Sequence, residues 1–166
     1  LKEKHGGEVT VVALGPKRVT ESIRTALAMG ADKGILVSDD ALEGSDALAT
    51  AKAIAAAIKD LEADIIFTGQ RGVDDDQGLV GAAVAEFLGM PQLSLIVKLE
   101  VAEDGKSVKV ERPIEGETLV IESSLPALIT AQKGLNEPRY ASLPGIMKAK
   151  KKPLDEKSLG DLGLDA

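Results

Sequence analysis

The segment that most narrows the choice of fold runs from Asp64 to Gly89, DIIFTGQRGVDDDQGLVGAAVAEFLG. Asp64 to Thr68 is short and nearly continuously apolar, the pattern of a parallel strand covered on both faces. Gly69 and Gly72 allow tight backbone turns, and Val80, Val84, Phe87 and Leu88 then recur at helical spacing, so one face of a helix goes down onto the sheet. The unpaired amides at that helix's start, together with its dipole, make a ready site for a phosphate. Asp74, Asp75 and Asp76 admit two readings. They cap and charge the first helical turn, or they take ribose hydroxyls and leave the phosphate to backbone amides and Arg71.

The rest of the chain sets this unit in a repeated β-α pattern. Glu8 to Leu14 is a β-branched strand closed by Gly15-Pro16. Thr20 is expected to cap a helix that contains Arg24, Leu27 and Met29 and stops at Gly30. Lys33 to Val37 reads as a second strand, and Asp46 to Asp60 as an Ala-rich helix with Leu48, Ile54 and Ile58 inward. Alternating strands and helices of these lengths argue for a parallel sheet with ligands at the carboxyl ends of its strands. After Pro91 the pattern alternates apolar with polar over Leu93 to Val101, Val108 to Arg112 and Thr118 to Glu122, with turns at Asp104-Gly105 and Glu115-Gly116-Glu117. These read as antiparallel strands. Pro126 to Ala131 is again a buried strand. From Asn136 the chain is hydrophilic and proline-punctuated, which reads as an arm ordered only by docking.

Composition removes several functions. With 166 residues, one core is expected, burying roughly 70% of the unfolded surface. Net charge is -7 and the only dense basic cluster is Lys148, Lys150, Lys151 and Lys152, so a nucleic-acid footprint is not expected. The absence of Cys excludes disulfides, thiolate metal sites and a cysteine nucleophile, and His5, the only histidine, has no second imidazole with which to hold a metal. No apolar run approaches the roughly 20 residues that span a bilayer, and no signal peptide is evident, so the reading is a cytoplasmic or organelle-matrix protein without membrane insertion. Leu1 to Gly7 has the form of a last helical turn with a glycine cap, so an earlier strand and helix are expected to precede it.

Four stretches carry a resemblance to a known family: TALAMGADKGI at 25 to 35, VDDD at 73 to 76, VERPIEGETLVIESSLPALITA at 110 to 131 and LNEPRYASLPGIMKAKKK at 135 to 152. From about Gly7 onward the chain resembles the β subunit of electron-transfer flavoproteins. The resemblance implies a Rossmann-like parallel sheet of the adenine nucleotide α-hydrolase-like type, with an antiparallel β insertion and an extended C-terminal arm. It implies a nucleotide-binding domain over 1–135 and a recognition loop and arm over 136–166. It also implies a non-enzymatic electron carrier that binds AMP structurally and completes the FAD site of a larger α subunit. That carrier passes electrons from acyl-CoA dehydrogenases and related flavin dehydrogenases, as in fatty acid oxidation, to the quinone oxidoreductase specific to such flavoproteins.

Carried onto this chain, the AMP site falls on Leu14 and on Gly69, Gln70, Arg71, Gly72, Val73, Asp74, Asp75, Asp76, Gln77, Gly78, Leu79 and Val80. Relatives usually show Gln-Thr where this chain has Leu79-Val80, which leaves the phosphate there to backbone amides. Partner docking is implied for Tyr140, Leu143, Pro144, Ile146 and Met147, with Leu143 as the anchor. The lysines at 148 to 152 are either a solvated linker or an aid to steering toward acidic partners. Two alternatives stay open. One is a bifurcating relative holding a second FAD in place of AMP. The other is a stand-alone ATP- or AMP-binding protein similar to the universal stress proteins, whose glycine signature Gly69, Gly72, Gly81 and Ala82 approach but do not match.

Overall fold

The computed structural model describes residues 1–74, 76–137 and 139–165. In chain order these form α1 (Lys2–His5), β1 (Thr10–Leu14), α2 (Thr20–Ala28), β2 (Lys33–Val37), α3 (Ala47–Ile58), β3 (Ile65–Gly69), α4 (Val80–Leu88) and β4 (Gln92–Ile96). There follow β5 (Lys98–Val101), β6 (Ser107–Ile114), β7 (Glu117–Ser124), β8 (Ala127–Ala131), α5 (Leu143–Ala149) and β9 (Leu154–Lys157). Length alone predicts a single core, but the residues group into two compact units. One comprises residues 1–57 with the described part of 138–166, and the other residues 58–137.

The first unit is built on a parallel sheet of order β1-β2-β9. β-Branched and leucine side chains of β2 are buried from Gly34 to Val37, and α2 lays Ile23 and Leu27 against Leu36, Ala31 and Ala149. The helix begins differently from the sequence expectation. A 3-10 turn over Lys17–Val19 winds the chain before the helix, so Thr20 is its first residue and Val19 its cap, with no side-chain cap bond. Met29 lies just past its end rather than inside it. In α3 the inward face is alanine: Ala51, Ala53, Ala55 and Ala57 are buried with Ile58, while Leu48 is exposed. Asp46 caps this helix by accepting from the Ala49 amide at 2.7 Å.

The segment expected as an arm contributes a helix and a strand to this unit. β9 adds to the edge of β2 in register Gly34↔Leu154 through Val37↔Lys157. α5 packs on α2, and the two helix ends are tied reciprocally. Arg24 Nη1 donates to the carbonyls of Ala149 and Lys152 at 2.7 Å each, while Lys152 Nζ donates to those of Leu27 and Ala31. Each cation meets carbonyls left over at the C-terminus of a helix, where the dipole also favours it. A hydrophilic composition concealed this docking because the buried contacts are made by aliphatic stems and a few small residues.

The second unit holds a parallel sheet of order β3-β8-β4 and an antiparallel sheet of order β5-β6-β7. Leu93, Ile96, Val108, Val110, Ala127 and Ile129 form its core. Leu93 to Val101, expected as one antiparallel strand, is divided. Its first part, β4, pairs parallel with β8, and only β5 pairs antiparallel, with β6. The change of partner comes between Ile96, whose carbonyl accepts from the Gln132 amide, and Val97, whose amide donates to the Glu111 carbonyl. Just before it Leu95 takes φ +61° and donates its amide to Thr130 Oγ1 at 2.9 Å. A side-chain acceptor there replaces a ladder bond across the register shift between Leu93 and Ile96, after which Ile96 pairs again with Ala131 of β8. α4 packs on β8 and β4 with Val84 fully buried, whereas Phe87, expected on the inner face, is 46% exposed.

Candidate functional site

β3 delivers the chain at Gly69, opposite Ala131 of β8, and α4 carries it away from Val80. The residues between them form an exposed loop in which Gln70 is half-buried, while Arg71, Gly72, Val73, Asp74, Asp76, Gln77, Gly78 and Leu79 are exposed. Asp75 lies outside the described residues. The loop closes on itself. Arg71 meets Asp76 in a two-point ion pair, Nε to Oδ1 and Nη1 to Oδ2, both at 2.9 Å. The Asp76 amide donates to the Gly72 carbonyl at 3.3 Å. Asp76 has φ +56° and Gly78 φ +63°, so the turn passes twice through the left-handed region before the helix begins. A bidentate guanidinium–carboxylate contact adds geometric definition to a loop with little packing of its own.

For Asp76 the helix start separates the two readings of the acidic triplet. The residue at the cap is Leu79, with no side-chain cap bond, and there is no acid in the first turn. Asp76 is therefore held by Arg71 and does not cap α4. The first intrahelical bond runs from the Ala83 amide to the Leu79 carbonyl at 3.0 Å, which leaves the amides of Val80, Gly81 and Ala82 without an intrahelical acceptor. That arrangement suits an anion.

Beneath this helix start the contacts are close. A Cβ on Gly81 would lie 2.5 Å from Thr68 Oγ1 and 3.1 Å from Thr130 Cγ2, so only glycine lets the first turn of α4 sit on the adjacent threonines of β3 and β8. Thr68 Oγ1 is buried there and has no hydrogen-bond partner among the described residues. Thr68 and Gly81 are neighbours of the sequence candidates that the sequence reading did not single out as site residues. A signal was present: a glycine one residue inside an otherwise strong helix marks a close backbone approach. Leu14, the remaining candidate, ends β1 in the first unit, opposite Val37, and the other nucleotide candidates belong to the second.

The docking candidates come together on and beside α5. Ser142 caps this helix by accepting from the Gly145 amide at 3.1 Å, with Pro144 in the first turn. Gly145 is pressed against the end of α2, for an added Cβ would meet the Ala28 carbonyl oxygen. Seated this way, the helix turns Leu143 (79% exposed) and Met147 (74%) outward, with Ile146 and Pro144 also exposed, and Tyr140, just before the helix, is 97% exposed. At the root of the segment Arg139 Nη1 contacts Glu3 Oε1 at 2.6 Å and Nη2 contacts Oε2 at 3.3 Å. The Arg139 hydrogen bond, with its charge, holds the Glu3 carboxyl below its ordinary value.

Among the described residues no group of acidic or imidazole side chains has the arrangement of a metal site. No helix among them is long and apolar enough to cross a membrane. The electron transfer flavoprotein domain family matches residues 1–162 of this chain. Among curated proteins, the chain is 46% identical over 166 residues to the electron transfer flavoprotein subunit beta of Bacillus subtilis, covering 99% of this chain and 64% of that protein. It is 44% identical over 169 residues to the protein of the same name from Bradyrhizobium diazoefficiens, covering 99% and 66%. For that of Thermoanaerobacterium thermosaccharolyticum the identity is 42% over 166 residues, covering 99% and 63%. The chain thus spans a little under two thirds of the length of these relatives.

Proposed function

The chain belongs to the electron transfer flavoprotein domain family, and from that premise we propose that it is the nucleotide-holding and docking part of a β subunit in a heterodimeric electron carrier. It holds AMP as a structural ligand on residues 69–80, completes the FAD site of an α subunit, and receives electrons from docked flavin dehydrogenases. The observation that carries this reading is the start of α4, where Leu79 supplies no side-chain cap and three amides lack an intrahelical acceptor beside a loop tied by Arg71 and Asp76. In this arrangement the amides hold a phosphate and need no particular side chain, so Leu79 and Val80 are compatible with the role. In this reading the acidic triplet Asp74, Asp75 and Asp76 takes the sugar hydroxyls.

FAD supplies the redox chemistry when bound, and this chain's residues supply binding, orientation and a docking surface. Residues 136–166 act as the docking loop and arm. Leu143, projecting from the capped helix, serves as the anchor for acyl-CoA dehydrogenases or related flavin dehydrogenases, since one well-packed apolar side chain can carry much of a small interface. The test is to purify the protein with whatever accompanies it, denature it, and identify the released nucleotides by chromatography and mass. AMP and FAD in equal amounts together with a larger subunit are expected. Two FAD without AMP would instead mark a bifurcating carrier, and ATP from a chain that runs alone would overturn the carrier reading.

A further inference from the structure

Beside the exposed face of α5 lies a cleft of about 440 Å³ between α2 and α5, within the range of roughly 300–1,000 Å³ usual for ligand sites. Its apolar lining is Ala28, Ala141, Ala149 and Ile146, and Thr25, Arg24 and Lys150 complete it. The cleft exists because Ala28 of α2, Ala149 of α5 and Ala141 just before α5 are small, and the two helices are held close at Gly145, so the space beside that contact is left unfilled.

We propose that this cleft receives an apolar side chain from an acidic segment of the docking dehydrogenase, so that the interface exchanges knobs in both directions. Leu143 projects outward into the partner, and the partner projects inward between α2 and α5. The inference rests on the docking reading above and specifies the partner chemistry at that surface.

Two observations favour this occupant. The cleft is continuous with the docking face, because one seven-residue helix carries both Ile146 on the lining and Leu143 and Met147 on the exposed side. Its charge is also opposite to that of the chain as a whole. Arg24 and Lys150 line the cleft, in a protein of net charge -7. A local cationic rim on an acidic molecule selects carboxylates over cations in an incoming segment and orients the encounter. Arg24 already donates to two carbonyls, which fixes its position; Lys150, which lines the cleft and is exposed, has no ion pair among the described residues and follows the partner.

The test uses the complete heterodimer and a purified acyl-CoA dehydrogenase from the same organism. It reads the KM for the electron carrier in dehydrogenase turnover and the Kd by surface binding. Thr25→Trp fills the cleft from an exposed position, whereas Thr25→Ala leaves it open. Docking should weaken about tenfold in the first and stay within about twofold in the second. Lys150→Glu, at an exposed site that does not endanger folding, should weaken docking several-fold and flatten its dependence on salt. Leu143→Ala tests the docking reading by itself. If it weakens docking while Thr25→Trp and Lys150→Glu do not, the cleft proposal is overturned and the docking reading stands. If Leu143→Ala has no effect, the docking reading fails first. Binding of dodecanoate that Thr25→Trp abolishes, with docking unchanged, would make the cleft a small-molecule site and overturn the proposal.

Discussion

The tight seat of α4 on the two threonines can be tested by a double-mutant cycle at Gly81 and Thr68. In Gly81→Ala the new Cβ would fall 2.5 Å from Thr68 Oγ1 and 3.1 Å from the Thr130 methyl, so the helix must lift. Overpacking of this kind costs about 1–3 kcal/mol, against about 1 kcal/mol gained by replacing glycine within a helix. The single variant should lose about 1 kcal/mol net, which for a chain of this length lowers Tm by roughly 2–4 °C. Thr68→Ala removes the clashing oxygen. It also removes a buried hydroxyl without a partner, so its own cost is small. In that background Gly81→Ala meets the Thr130 methyl at 3.1 Å and the retained Cβ at position 68 at an ordinary contact distance of 3.4 Å, the clash is largely gone and the helix propensity remains as a gain. The two changes should therefore be non-additive by roughly 2 kcal/mol in the stabilising direction. Urea unfolding followed by far-ultraviolet circular dichroism on the parent, both singles and the double measures this coupling. Additivity within about 0.5 kcal/mol would refute the claim that the first turn of α4 rests on Thr68.

Three further outcomes are expected. Asp76→Asn breaks the pair with Arg71, whose side chains are 51% and 63% exposed, so stability should change by no more than about 0.5 kcal/mol, while the AMP retained per heterodimer after gel filtration should fall; unchanged AMP content would remove the loop's tie from the site. Lys152→Met takes a cation from the carbonyls of Leu27 and Ala31 and should cost about 2 kcal/mol, seen as a Tm lowered by roughly 4–8 °C. Asp32, whose carboxyl is held below its ordinary 3.8 by the hydrogen bond from Lys2 and the Val9 amide, contributes stability that is present above 3.8 and is lost as pH falls through its lower folded value. Asp32→Asn should accordingly be less stable than the parent at pH 7, and the two curves should converge in acid; a constant gap down to pH 2 would show that the linkage is absent.

Much of the candidate site was legible because its elements are local. A continuous apolar run at 65–68, glycines at 69 and 72, and helical spacing from Val80 are short-range signals, and the strand, loop and helix are found there. The role of the acidic triplet was not legible. Whether Asp76 capped α4 or faced the loop depended on where the helix began, and that was decided by Gly81 fitting over Thr68 and Thr130. Thr130 is more than sixty residues from Thr68 in the chain, so no window around either residue contains the contact. Ser142 and Pro144 were a readable helix start in the docking segment, masked by the hydrophilic composition around them.

The sequence by itself determined the elements whose cause lies within a few residues: the β-branched strands, the Ala-rich helix, the turns at Gly105 and Gly116, and the family to which the chain belongs. Only the tertiary structure decided where those elements went. It split Leu93 to Val101 between two sheets after Ile96, because residues up to Ile96 find β8 as a parallel neighbour and those from Val97 find β6 as an antiparallel one. It also returned residues 143–157 to the first unit as a helix and an edge strand. That placement rests on Arg24 and Lys152, residues far apart in the chain, each satisfying carbonyls at the other's helix end. Local pattern follows backbone and side-chain geometry within a turn or two, whereas pairing and docking depend on which distant groups are left unsatisfied.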